Sequence, residues 1–252
     1  MFPVIYLPSP NFSARGDAAV SMLVLHYTGM KSAADALARL CDVQAQVSAH
    51  YVIDEDGKVY QLVEEQHCAW HAGASYWRGN KNVNNISIGI EIVNPGYEFG
   101  YRPFPAVQMQ AVAGLCSDII ARHQIQPVNV VGHSDVAPLR KEDPGELFDW
   151  QWLAGQGIGV WPSVSGQWQE GTRARGGVLY DDPAGEISRS EIGGDAPPIN
   201  NKFVTLGYEI PDREDGLNKV ITAFQRHFRP SAVNGVWDAE CDERLAALLA
   251  MI

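Results

Sequence analysis

The chain has 252 residues, 46% hydrophobic and 19% charged, which excludes a disordered polymer and suffices for one sizeable core, or one domain with a small appendage. A formal net charge of -11 argues against DNA or RNA as the main partner, because phosphate contacts need clustered Lys and Arg, though a local basic patch for an acidic substrate stays open. No apolar run nears the roughly 18 residues of a membrane-spanning helix, and Met1–Pro8 lacks the basic, apolar and small-residue segments of a signal peptide. The expectation is therefore a cytoplasmic chain, with the periplasm or outer membrane as the alternative if the native gene is longer.

Met22 to Leu25 is a short apolar run ending at His26 and predicts a buried strand. Ser32 to Asp42 predicts a helix with Ala33, Ala36, Leu37 and Leu40 on one face and Ser32 as its cap. His50–Ile53 and Val59–Val63 flank Asp54-Glu55-Asp56-Gly57 and predict a hairpin, in which Gly57 supplies the positive φ of a tight turn. Ile86 to Val93 predicts a strand whose isoleucines share one face and leave Glu91 on the other. Pro105 to His123 is the clearest helix, with an apolar stripe through Val112, Leu115, Cys116, Ile119 and Ile120. Asn129 to Gly132 predicts a strand that delivers His133, and Glu146 to Leu153 a further helix. Together these elements predict an α/β fold, a mixed central sheet flanked by helices.

Gly, Ser, Pro, Asp and Arg dominate from 163 to 201, without apolar period, which predicts a linker or long loop. Beyond it, Gly216 to Arg229 and a last segment capped by Asp238 and carrying Leu245, Leu248 and Leu249 predict a small helical domain over 202–252 with its own modest core. Cys41, Cys68, Cys116 and Cys241 have no C-x-x-C spacing and are expected to be reduced thiols.

Three pieces of the chain share one chemistry. His26 ends an apolar run, His133 follows another, and Asp143 lies in the next loop. Imidazole and carboxylate suit zinc, and three protein ligands leave the open tetrahedral position of a catalytic site. Beside such a metal Glu91 reads as a general base, and Lys141 as a charge placed against a developing oxyanion. Arg140 can bind a substrate carboxylate bidentately, and Trp70 with His71 can wall a groove. In isolation each has a plainer reading, as a solvated surface residue or a packed loop side chain. His50 and His67 read as structural histidines.

The strings Leu25-His26-Tyr27-Thr28, Ser48-Ala49-His50-Tyr51-Val52-Ile53, Ala69-Trp70-His71-Ala72-Gly73, Ser87-Ile88-Gly89-Ile90-Glu91, Gly132-His133-Ser134-Asp135 and Lys141-Glu142-Asp143-Pro144-Gly145 occur in this order. Over Leu23 to Pro162 the chain resembles the zinc-dependent N-acetylmuramoyl-L-alanine amidases, a family that includes the AmpD and AmiD enzymes, T7-type lysozyme and the peptidoglycan recognition proteins. Phe224 to Phe228 with Asn234 to Asp238 resembles a small helical peptidoglycan-binding module, a two-part layout closest to the AmiD type. The resemblance implies a T7-lysozyme-like catalytic domain over 1–162 and a peptidoglycan-binding-like domain over 202–252. It implies Zn2+ on His26, His133 and Asp143, Glu91 as catalytic acid/base and Lys141 as transition-state stabiliser. The implied reaction cleaves the amide between N-acetylmuramic acid, in its ordinary or 1,6-anhydro form, and L-alanine of peptidoglycan or muropeptide fragments. Where the family often has Asn-Asp, this chain has Asn84-Asn85, and Asn85 joins Arg140, Trp70 and His71 as a candidate substrate contact. A non-catalytic peptidoglycan receptor is the alternative from another class. A zinc peptidase lacks its His-Glu-x-x-His signature here.

Overall fold

The computed structural model describes residues 3–164 and 199–252. In chain order its elements are β1 (Val4–Tyr6), β2 (Phe12–Ala14), β3 (Met22–Tyr27), α1 (Ala33–Cys41), β4 (Tyr51–Ile53), β5 (Val59–Gln61), β6 (His67–Ala69), α2 (Val83–Ile86) and β7 (Ser87–Ile92). There follow α3 (Gly96–Phe99), α4 (Ala106–His123), β8 (Val130–Gly132), α5 (His133–Val136), α6 (Trp150–Gly155), α7 (Ile199–Leu206), α8 (Gly216–Phe228) and α9 (Ala239–Leu249). Six strands form a mixed sheet in the order β1-β5-β4-β7-β3-β8, and β2 pairs with β6. Only β4 and β5 run antiparallel within the larger sheet.

The local signals act as their chemistry requires. Ser32 Oγ accepts the Asp35 N–H at 3.1 Å and starts α1. Asp238 Oδ1 accepts the Cys241 N–H at 3.0 Å and starts α9. Gly57, at φ +84°, closes the β4–β5 hairpin. The helix expected from Glu146 begins instead at Trp150. The Leu147 N–H is taken by the Tyr101 hydroxyl at 2.9 Å, and the Asp149 side chain caps Trp152 at 2.9 Å, so the helical ladder starts one turn later.

Alternation along the strands divides the sheet into two faces. On one, Leu23, Leu25, Ile88, Ile90, Tyr51 and Ile53 pack against Met109, Val112, Leu115, Cys116 and Ile119 of α4. Fully burying each such side chain contributes about 1.5–3 kcal/mol. On the other, Met22, Val24 and Val131 pack against Phe203 of α7, Val220 and Phe224 of α8, and Leu245 and Leu248 of α9. Val52 packs beside Leu40 of α1. The C-terminal helices therefore share their core with the sheet, and residues 199–201, expected in the linker, are helical in α7. Of the expected linker, 165–198 lie outside the described residues. All four cysteines are free thiols, and Cys68, Cys116 and Cys241 are buried. Among the described residues no helix is long and apolar enough to cross a membrane.

Glu65 ties the sheet to the end of α4. It accepts from the Tyr51 hydroxyl at 2.8 Å, Arg122 Nη2 at 2.6 Å and His123 Nε2 at 2.6 Å. Burial alone would raise its carboxyl; these donors outweigh burial and hold it at about 2, below the ordinary 4.5. Its contribution is thus present above pH 4.5 and lost as pH falls through about 2. Glu65→Gln should cost about 2 kcal/mol at neutral pH. The gap to the wild type should close as the pH is lowered, as read by urea unfolding at pH 7 and pH 3.

Candidate metal centre and active site

Parallel pairing sets His26 of β3 directly beside Glu91 of β7. Strand β8, on the other side of β3, leads into α5, whose first residue is His133. The Ser134 N–H donates to the Asp143 carbonyl at 2.9 Å, which folds the Asp143 loop back against α5. The outcome is a buried cluster. His26 Nδ1 lies 2.9 Å from His133 Nδ1 and 3.0 Å from Asp143 Oδ2, and His133 Nδ1 lies 3.1 Å from the same oxygen.

The surrounding hydrogen bonds fix where the protons sit. Ser87 Oγ donates to the Val83 carbonyl at 2.6 Å, so it must accept from His71 Nε2 at 3.2 Å. That leaves His71 Nδ1 bare, and it accepts from His26 Nε2 at 3.0 Å. His133 Nε2 donates to the Ala72 carbonyl at 3.1 Å. In their neutral forms both Nδ1 atoms therefore carry only lone pairs, and both point at a carboxylate oxygen. Burial, reinforced by His133, lowers His26 to about 4, and burial holds His71 well below the ordinary range, so both rings are neutral at pH 7. Burial pushes the Asp143 carboxyl up, and hydrogen bonds and charge from protonated imidazoles would pull it down; with both Nδ1 atoms bare, a cation would have to take that part. Three acceptors facing one another with no proton between them fit a divalent cation, and His26, His133 and Asp143 could hold one. Carbonyl- and histidine-bonded imidazoles of this kind are how proteins orient metal ligands.

Glu91 stands beside the cluster with Oε2 buried and without a hydrogen-bond partner. Burial first, then Asp143, raises its carboxyl well above the ordinary range, against a smaller opposing effect of Lys141. That setting favours the protonated form, so the carboxyl can give back a proton as well as take one. Lys141 lines the same cleft, half-buried, and makes no ion pair among the described residues.

The cleft, of roughly 570 Å³, runs between α1 and α8 over the sheet face that carries His26 and Glu91. Arg39 comes from α1, Arg140 and Lys141 from the loop after α5, and Lys219, Thr222 and Arg226 from α8. Five cations against Glu91, Glu142 and Asp143 make a local basic patch in an acidic chain. The α8 residues are remote in sequence from every metal-site motif, and nothing in the sequence marked them as part of the cleft.

The expected substrate contacts divide. Trp70 lines the cleft, its indole N–H on Ser13 Oγ at 3.2 Å. His71 also lines the cleft, largely buried behind His26. It fits there because Gly89 has no Cβ; one built on it would lie 2.4 Å from the imidazole. Arg140 lines the cleft, and its Nε and Nη2 donate to the carbonyls of Ala72 and Ala74, so those two nitrogens are spent on that loop. Asn85 is not among the cleft residues, and its carbonyl accepts from Arg15 at 2.6 Å. Its neighbour Asn84 shapes the site instead: Oδ1 accepts the N–H groups of His71 at 3.1 Å and Ala72 at 2.7 Å. His50 is structural, accepting the Gly89 N–H at 3.0 Å.

Residues 16–146 match the family model described as N-acetylmuramoyl-L-alanine amidase (Amidase_2). The chain is 42% identical over 246 residues to N-acetylmuramoyl-L-alanine amidase AmiD of Escherichia coli K12, covering 91% of this chain and 82% of that one. Its fold matches that of E. coli AmiD in complex with the substrate anhydro-N-acetylmuramic acid-L-Ala-D-γ-Glu-L-Lys, with a TM-score of 0.74 and 37% identity over 94% of this chain and 91% of that one. It also matches AmpDh3 of Pseudomonas aeruginosa in complex with anhydromuramic pentapeptide, with a TM-score of 0.76 and 31% identity over 98% and 96% of the two chains. The chain is an enzyme of the N-acetylmuramoyl-L-alanine amidase family.

Proposed function

We propose that this enzyme is a zinc-dependent amidase that cleaves the bond between the lactyl group of N-acetylmuramic acid, including its 1,6-anhydro form, and L-alanine of muropeptides. The observation that carries the metal reading is the convergence of two bare imidazole nitrogens and one carboxylate oxygen about 3 Å apart. Zinc bound there would supply a Lewis acid that polarises the scissile carbonyl and makes water more acidic. Glu91, beside His26, takes a proton from the water that attacks the amide carbon. The ammonium of Lys141 faces the negative charge that develops on the carbonyl oxygen. As the C–N bond breaks, Glu91 returns the proton to the departing L-alanine nitrogen. The products are a lactyl carboxylate and a peptide with a free amino terminus.

The cleft cations suit the carboxylates of a stem peptide. AmiD and AmpDh3 in complex with anhydro-sugar peptides support that substrate class for this chain. In this proposal α7–α9 serve as a wall of the cleft, through Lys219, Thr222 and Arg226, besides the wall-binding role that their sequence suggests. A non-catalytic receptor has no use for a half-buried carboxylate with one oxygen buried and unpartnered beside such a cluster, and Glu91 is one.

The purified enzyme should carry about one zinc per chain, and His133→Ala should lose metal and activity together. Full amidase activity in metal-stripped wild-type protein would end this reading. Glu91→Gln should keep its zinc while turnover drops by about 10²–10⁴; loss of the metal with it would instead mark Glu91 as a ligand. Lys141→Ala should show a smaller defect, confined to kcat. Mass spectrometry of products from sacculi and from anhydro-muropeptides identifies the bond cut and the preferred substrate.

A further inference from the structure

Asp135, two residues after His133, is 1% exposed and accepts three hydrogen bonds. The Gly132 N–H donates to Oδ2 at 2.7 Å, from the residue just before His133. The other two donors come from the C-terminal helical unit. Tyr208, which follows α7, donates its hydroxyl to Oδ1 at 2.6 Å, and His227 of α8 donates Nδ1–H to Oδ2 at 2.7 Å. We infer that the C-terminal helices are a positioning device for the metal centre: Tyr208 and His227 hold Asp135, and Asp135 clamps the strand-to-helix junction that aims His133. This rests on the reading of His133 as a zinc ligand.

The clamp is rigid on both sides. His227 is stacked between Trp150 and Phe228, each ring centroid 3.8 Å away. Tyr208 is 0% exposed and meets Trp77 and Phe203 edge-on at 5.2 and 5.6 Å. Its phenol, buried and facing Asp135, is held well above the ordinary range and stays a donor. On the catalytic side, Asp135 grips the Gly132 N–H, and the Ser134 N–H is fixed on the Asp143 carbonyl at 2.9 Å. His133 lies between these two anchors. With Nε2 on the Ala72 carbonyl, its ring has one orientation, the one that brings Nδ1 to His26 and Asp143. Without Tyr208 and His227 a buried carboxylate would keep one backbone donor, and it would move toward water and take the junction with it.

Packing alone, without positioning, would leave the metal centre untouched when these donors are removed. Tyr208→Phe deletes one oxygen. His227→Leu deletes the imidazole donor, and His227→Asn retains an N–H in the place of Nδ1. Tyr208→Phe and His227→Leu should each weaken zinc binding roughly tenfold in chelator competition. They should also lower kcat with KM nearly unchanged and shift the visible d–d absorption of the Co2+-substituted protein. His227→Asn should return all three toward wild type. Zinc affinity and Co2+ spectra identical to wild type in both Tyr208→Phe and His227→Leu would overturn the inference, whatever happens to Tm. If His227→Leu does not fold, Tyr208→Phe, the smaller change, decides it. A wild-type chain that binds no zinc would overturn the metal reading and this inference together; variants that match a zinc-binding wild type would overturn this inference alone.

Discussion

Three hydrogen-bond acceptors that face one another in a buried space, with no proton among them, are the constraint around which this structure is arranged. His26 Nδ1, His133 Nδ1 and Asp143 Oδ2 would repel without a cation between them. What holds them is a set of directional bonds on their far sides. Val83, Ser87 and His71 form a proton ladder that ends on His26, and the Ala72 carbonyl fixes His133. Each rung determines the tautomer of the next, so the bare face of both imidazoles follows from a serine and two backbone carbonyls. The same logic explains Gly89: the ladder needs the His71 ring flush against β7, and any side chain there would occupy its place.

The two faces of the sheet carry different burdens. Helix α4 seals one with a continuous apolar layer. The other is shared between α1 and the C-terminal helices, and the gap between them is the cleft. Parallel pairing of β3 with β7 puts His26 and Glu91 side by side on that open face. His26 and the Glu91 carboxylate are therefore neighbours by register, before any loop is considered. An acidic chain nevertheless presents cations here, because Arg39, Lys141, Lys219 and Arg226 reach the gap from separate segments. The C-terminal helices contribute to this site twice, as one wall of the cleft and through the buried bonds of Tyr208 and His227 to Asp135.

Much of this was readable from the sequence, because it depends on local periodicity and on residue chemistry. The isoleucine alternation in β7 placed Glu91 opposite the core, the apolar stripe marked α4, and Ser32 and Asp238 marked helix starts. The residue types of His26, His133 and Asp143 were enough to suggest a metal, since two imidazoles at the ends of apolar runs and a carboxylate in the next loop suit one. Tertiary structure alone decided the rest. The length of α6 turned on a hydroxyl from Tyr101, distant in sequence. That Arg140 and His71 help hold the site together depended on which carbonyl or imidazole lies within 3 Å or so. The part played by α8 had no sequence signal, because a helix stripe records which side is buried but not what buries it. Sequence determines what each residue is able to do; the packing of distant segments determines which of those abilities is used.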